Sequence, residues 1–349
     1  MIAVQRRERP LAGLFTCGQT GAEADDGRYT VDPSMKILIL GAGAVGGYFG
    51  GRIAETGADV TFLVRPKRRA QLQSEGLRVE SSLGGLQVPV KTVTAEELRP
   101  GYDVVLFTCK VYDIDSAMEA IAPAMDGTCA VVPMLNGISH FDRLDARFGR
   151  PQVVGGTCQV NATLRADGVV VHDGTLQRII IGERDRTTSP RTEALAAVLG
   201  RTSLDWTLSA DIEQDIWEKM VLLSALAAMT CLFRGTVAEI IAAPGGLEAM
   251  TRTLATNIDI VAREGHPIRP ATEAVVRGRL TDPAGTLSAS MLRDMEAGNP
   301  VEADHIVGWM LEKARVHGFD DAMLSIAYTH LKTYEARRAA GRLPQPRSS

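Results

Sequence analysis

Four consecutive apolar residues, Ile37-Leu38-Ile39-Leu40, run directly into Gly41-Ala42-Gly43-Ala44-Val45-Gly46. A strand with no polar alternation is buried on both faces, and such strands belong to parallel sheets covered by helices. Three glycines in the spacing G-x-G-x-x-G, at the end of that strand and the start of a helix, each answer a mechanical demand. Gly41 permits the tight turn, Gly43 lets a pyrophosphate approach the backbone, and Gly46 lets the helix pack on the strand. The helix N-terminus then offers free N–H groups and a positive dipole end to the phosphates. Ala42, Ala44 and Val45 complete the loop. The motif predicts a Rossmann-type parallel sheet with a dinucleotide at its edge.

The rest of the chain divides in two. Up to about residue 205, strands at 37–40, 59–64, 103–108 and 128–132 alternate with helical segments at 45–55, 67–74 and 114–122. A hairpin is expected around Leu83-Gly84-Gly85, and later strands at 153–164, 169–172 and 179–182 with turns at Asp167-Gly168 and Asp173-Gly174. Strand–helix alternation of this kind means a parallel α/β sheet. After Asp211 the strand signal stops. Helical periods cover 211–230, 246–264, 272–279, 287–296, 301–316 and 322–339, with Gly265, Gly298 and Gly318 at expected C-caps. The organisation expected is a dinucleotide-binding domain over 35–209, an all-helical domain over 210–340 and a short tail over 341–349. Residues 1–34 have neither an apolar targeting core nor periodicity, and Met35 itself looks like a translation start. They read as a weakly ordered extension or as a misassigned upstream start.

Composition removes several classes of function. Lys plus Arg is 38 against 42 Asp plus Glu, a formal net charge of −4, which argues against a broad basic field for nucleic acid. The longest nearly apolar run, residues 220–233, is too short for a bilayer and predicts a buried helix. Cys17, Cys109, Cys129, Cys158 and Cys231 form no C-x-x-C, so a reducing cytoplasm is expected. His140, His172, His266, His305, His317 and His330 show no metal-ligand spacing, so no metal is expected. No G-x-S-x-G elbow is present to make a hydrolase.

Cofactor choice is decided after the second strand. NAD-binding chains place an acidic residue there for the ribose 2′-hydroxyl. Here the strand ends in Arg65, followed by Pro66, Lys67, Arg68 and Arg69. A guanidinium can pair with a 2′-phosphate in a bidentate fashion, so NADP is expected. Lys110 ends the third strand and Asn136 follows the fourth, where α/β sheets bind ligands. Lys219 lies on the first helix of the second half, beside an apolar run.

These motifs, taken in order, resemble the ketopantoate reductases (2-dehydropantoate 2-reductases). The resemblance runs from about residue 36 to 334. It rests on the glycine loop, Arg65, Cys109-Lys110, Leu135-Asn136-Gly137, Trp217-Glu218-Lys219, and Ser290-Met291-Leu292-Arg293-Asp294 followed by Glu302. It implies that Lys219 is the proton donor and that Glu302 sits beside the nicotinamide ribose. Asn136 would contact cofactor and substrate, Lys110 would lie near both, and Ser290 would bind substrate. Ala162 matches a cofactor-contacting backbone position. The chain departs from the pattern at three places. Leu223 and Ala227 stand where the family carries asparagines one and two turns after the lysine, and Leu287 replaces a third amide. A pocket without those amides should take a less polar substrate, because polar substrate groups would go unpaired.

The function expected is thus NADPH-dependent reduction of a small 2-oxo acid, either 2-dehydropantoate or a less polar related carbonyl, with no nucleic-acid or membrane partner and with a homodimer left open. Two alternatives remain at this stage. One is an oxidising secondary-alcohol or 2-hydroxy acid dehydrogenase of the same fold; the other is a non-catalytic NADPH sensor, which would not need Lys219.

Overall fold

A computed structural model describes residues 35–343. The expected extension over residues 1–34, and residues 344–349 of the tail, lie outside it. The first half runs β1 (Lys36–Leu40), α1 (Ala44–Ala54), β2 (Asp59–Leu63), α2 (Pro66–Glu75), β3 (Leu77–Ser81), β4 (Leu86–Val88), β5 (Lys91–Val93) and β6 (Val104–Phe107). It continues through α3 (Ile114–Ile121), β7 (Ala130–Pro133), α4 (His140–Phe148), β8 (Gly155–Leu164), β9 (Val170–Gly182), α5 (Pro190–Gly200) and β10 (Asp205–Leu208). The second half is helical: α6 (Ile212–Phe233), α7 (Val237–Ala242), α8 (Gly246–Arg263), α9 (Pro270–Leu280), α10 (Ser290–Glu296), α11 (Trp309–His317) and α12 (Ala322–Ala339).

β1 lies at the middle of a five-stranded, wholly parallel sheet in the order β5-β2-β1-β6-β7. The chain works outward from β1 to one side, then crosses to the other, so the order reverses between β1 and β6. Ligands of open α/β sheets bind at that reversal, beyond the carboxyl ends of the strands. Residues 37–40 and all of β6 and β7 are buried, which is what their unbroken apolar runs require.

One parallel sheet was expected; among the described residues there are two sheets. β3, β4, β8, β9 and β10 form a second, mixed sheet, in which β9 pairs parallel with β3 and β10 and antiparallel with β8. The stretches 169–172 and 179–182 are one strand rather than two. The expected turn at Asp173-Gly174 is a bulge within it: residues 173–176 lie opposite Asn161 alone, with Gly174 at φ +77°. A strand's alternation shows which face is wet but does not say which sheet it joins.

Among the helices, α6 settles the geometry. Its composition and length would suit a bilayer, yet most of it is buried within the protein. Ile212 and Ile216 pack into the core under the parallel sheet, while Met220 to Cys231 supply the core of the helical half. α6 therefore passes from one core to the other, and Lys219 falls at the crossing. The helix expected over 287–296 starts only at Ser290. The one expected over 301–316 starts at Ala303, and its first turn, Asp304–Gly308, is π-helical and runs directly into α11. α7, opened by a Thr236–Glu239 capping box, has no counterpart in the sequence reading because it is only six residues long.

Candidate active site

The loop ends that should bind a dinucleotide are shaped for it. Gly41 has φ +89°, and its N–H donates to the Leu63 carbonyl at 2.9 Å, tying the loop to β2. A Cβ on Gly46 would collide with the Gly41 carbonyl oxygen and the Thr108 hydroxyl, so helix and strand approach as the motif requires. A Cβ on Gly43 would meet nothing within 4 Å, which leaves open space for a bound group above the loop. α1 has no side-chain N-cap and no acidic residue in its first turn. Its leading N–H groups are thus left for an anion. These features fit a pyridine dinucleotide.

The basic run after β2 splits into two kinds of residue. Arg65 is exposed at the N-cap of α2, at the rim of the glycine loop's edge of the sheet. Arg68 instead turns inward, its Nε donating to the Ala42 carbonyl (3.2 Å) and its Nη1 to Gln71 Oε1 (2.7 Å) and the Gly168 carbonyl (2.9 Å). Sequence spacing alone does not separate the two.

Lys219 is held by three acceptors, all from the α/β half. Its Nζ donates to Asn136 Oδ1 at 3.1 Å, Thr157 Oγ1 at 2.9 Å and the Cys158 carbonyl at 2.7 Å. Burial pulls its ammonium below the ordinary lysine value, against the opposing pull of Cys158 and Glu302. The neighbouring Glu218 fixes the rotation of α6. It is fully buried, and its carboxylate accepts from the Arg269 N–H (2.8 Å), Arg269 Nε (2.7 Å), Gln214 Nε2 (3.1 Å) and Thr272 Oγ1 (2.9 Å). Trp217 stacks on His266 at 4.7 Å and meets Trp309 edge-on. Thr157 and Cys158 carried no sequence signal; one is a mid-strand threonine and the other contributes a backbone carbonyl.

Of the other matched residues, Glu302 acts electrostatically on Lys219, and Lys110 lies beside Glu302. Glu302, 7% exposed, accepts the Val111 N–H at 3.1 Å, and Lys110 Nζ lies 3.1 Å from Asp294 and 3.6 Å from Glu302. Burial lowers the Lys110 ammonium, but the two carboxylates more than reverse this and leave it above its ordinary value. Burial pushes the adjacent Cys109 thiol up to about 12, which makes it an inert packing group. Ser290 opens α10, partly exposed, and Thr230 Oγ1 accepts the N–H of Ala289 just before it at 3.3 Å. Leu223 and Leu287 are half-buried against the helical core. Ala227 is fully enclosed in that core and presents no surface. Ala162 lies on β8 beside the bulge, opposite His172.

His140, on the loop side of the site, is 1% exposed, and neither ring nitrogen has a protein partner. Burial, reinforced by Lys219, Arg184 and His305, lowers it to about 3. Between that value and the ordinary 6.5, only the unfolded chain takes up the proton. Stability from this residue is therefore full above about pH 6.5 and is lost as pH falls toward about 3, by about 1.4 kcal/mol per pH unit. Urea unfolding near neutrality and at about pH 5 should show that loss in the wild type and a smaller one in His140→Phe. Equal losses in the two proteins would contradict it.

Comparison with known proteins agrees with this geometry. The family model "Ketopantoate reductase PanE/ApbA" matches residues 37–186, and "Ketopantoate reductase PanE/ApbA C terminal" matches 211–335. The chain belongs to the ketopantoate reductase family. The uncharacterized oxidoreductase YkpB of Bacillus subtilis is 34% identical over 304 residues, covering 87% of this chain and all of that one. The 2-dehydropantoate 2-reductase of Archaeoglobus fulgidus is 30% identical over 289 residues, 83% of this chain and 94% of its own. The crystal structure of 2-dehydropantoate 2-reductase from Geobacter metallireducens superposes with a TM-score of 0.77 at 27% identity, covering 86% of this chain and 99% of its own. The protein is thus an oxidoreductase of a family that depends on pyridine nucleotides.

Proposed function

We propose that this ketopantoate reductase family member is an NADPH-dependent reductase of a 2-oxo acid whose side chain is less polar than that of ketopantoate. The observation that carries the reading is the Lys219 ammonium, placed where the two halves meet and held by Asn136, Thr157 and the Cys158 carbonyl.

The glycine loop 41–46 and the α1 N-terminus would hold the pyrophosphate, Arg65 the 2′-phosphate, and Glu302, Lys110, Asn136 and the Ala162 backbone the nicotinamide end. Bound there, NADPH supplies the hydride. The chain's own part is the proton. Negative charge builds on the ketone oxygen during reduction, and a positioned acid contributes about 10²–10⁴-fold. An ammonium has three N–H donors, and three acceptors occupy them here. A ketone oxygen must therefore displace one. Asn136 Oδ1, the longest of the three contacts, is the one expected to yield, its amide turning to substrate. Burial of the ammonium eases release of its proton, because it weakens the hold of the charged form. Ser290 would meet the substrate's polar end, while Leu223 and Leu287 supply apolar surface near the site.

NADPH oxidation over a panel of 2-oxo acids, ketopantoate included, tests the proposal. Turnover of apolar members is expected; no turnover of any would overturn it. Cofactor choice has its own test. NADPH should bind at least about tenfold tighter than NADH, as a charge-assisted pair to the 2′-phosphate implies. Arg65→Ala should erase that difference. Arg68→Met should weaken both cofactors alike, because Arg68 supports the loop they share. Equal wild-type affinities would show Arg65 to be a surface charge only.

A further inference from the structure

The loop that carries Asn136 continues onto the turn that follows Glu302, where Gly137 and Ser139 both meet His305 and Ile138 packs between them. Gly137 has φ +86°, and a Cβ there would stand 3.0 Å from the His305 carbonyl oxygen. Ile138 packs against the helical core and against the core under the parallel sheet. Ser139 Oγ lies 3.0 Å from His305 Nδ1. The far side of the π-helical turn is fixed in its own right. Asp304 accepts from the Tyr328 hydroxyl at 2.6 Å and from Lys332 at 3.1 Å. The Tyr328 ring lies so close to Gly308 that a Cβ there would stand 2.8 Å from it. Helices rarely tolerate π turns, and those that persist are frequent at functional sites.

We infer that His305 and Ser139 are positioning residues, whose hydrogen bond sets the Asn136 loop, and with it the Lys219 ammonium, at a fixed reach from Glu302. The inference rests on the reading of this cleft as a reductase site. Neither side chain touches the groups that hold Lys219. They act through the loop: Ser139 is three residues from Asn136, and His305 is three from Glu302. A rigid link between the two matters because small misplacements of reacting groups cost large factors in rate.

A double-mutant cycle on the full chain tests this, with Ser139→Ala, His305→Ala, their combination, and His305→Asn, whose amide can take the place of Nδ1. Each alanine variant should lower kcat about fivefold or more, the size of one net hydrogen bond, with little change in NADPH affinity. The double variant should be no slower than the slower single one, and His305→Asn should recover most of the loss. Additive losses, unchanged kcat, or failure of His305→Asn to recover would each overturn the inference. A wild type that reduces no oxo acid would instead sink the reductase reading. The cycle is then read in melting temperature, where non-additive shifts uphold the link and additive shifts overturn it.

Discussion

Lys219→Ala is expected to lower kcat for oxo-acid reduction by at least ~10²-fold, the range of a lost general acid, while leaving NADPH affinity nearly unchanged. The two effects separate because the amine contacts Asn136, Thr157 and Cys158, whereas the glycine loop and Arg65 lie at other strand ends. The wild-type pH profile carries the same signature. The acid must hold its proton, so kcat should be flat at neutral pH and fall as pH rises. Its midpoint should lie below the ordinary lysine value of 10.5, because burial lowers it. Lys219→Ala should abolish that limb. Full activity in Lys219→Ala would refute the mechanism.

The reasons some of this was readable in the sequence, and some not, are physical. The buried strand and glycine loop are local: tight turn, close approach and helix packing all fall within six residues. Lys110, Asn136 and Arg65 were readable because strand ends of a parallel sheet share one edge. The second sheet was not, since β3 and β9 pair at a separation of 91 residues, as in Val79 with Val170. Pairing at that separation leaves no mark in either strand's pattern. The partners of Lys219 were hidden for a similar reason, since a backbone carbonyl has no residue type. The π-helical turn leading into α11 leaves no mark in the sequence, because Ala303 to Leu311 contains neither Pro nor any other strong helix breaker besides Gly308.

Substrate choice should respond strongly to one side chain. Leu223 stands one turn after Lys219 and is half-buried, so an amide there would be near the acid and able to reach a polar substrate group. A buried hydrogen bond left unmade costs about 1–3 kcal/mol. Leu223→Asn should therefore raise kcat/KM for ketopantoate by about tenfold or more and lower it for apolar oxo acids. Ala227 is a poorer place for the same experiment. It is fully enclosed, and a larger side chain there would strain the helical core. No gain for ketopantoate in Leu223→Asn, with the fold intact, would show that this position does not face the substrate.

The most direct measurement is the ratio of wild-type kcat/KM values, with NADPH, for a branched apolar 2-oxo acid and for ketopantoate. If Leu223 and Leu287 each leave a polar group of ketopantoate unpaired, the two missing hydrogen bonds correspond to a preference on the order of 10³ for the apolar acid. A large ratio in that direction is the predicted result. Turnover of ketopantoate as efficient as that of the apolar acid, or better, would contradict the account.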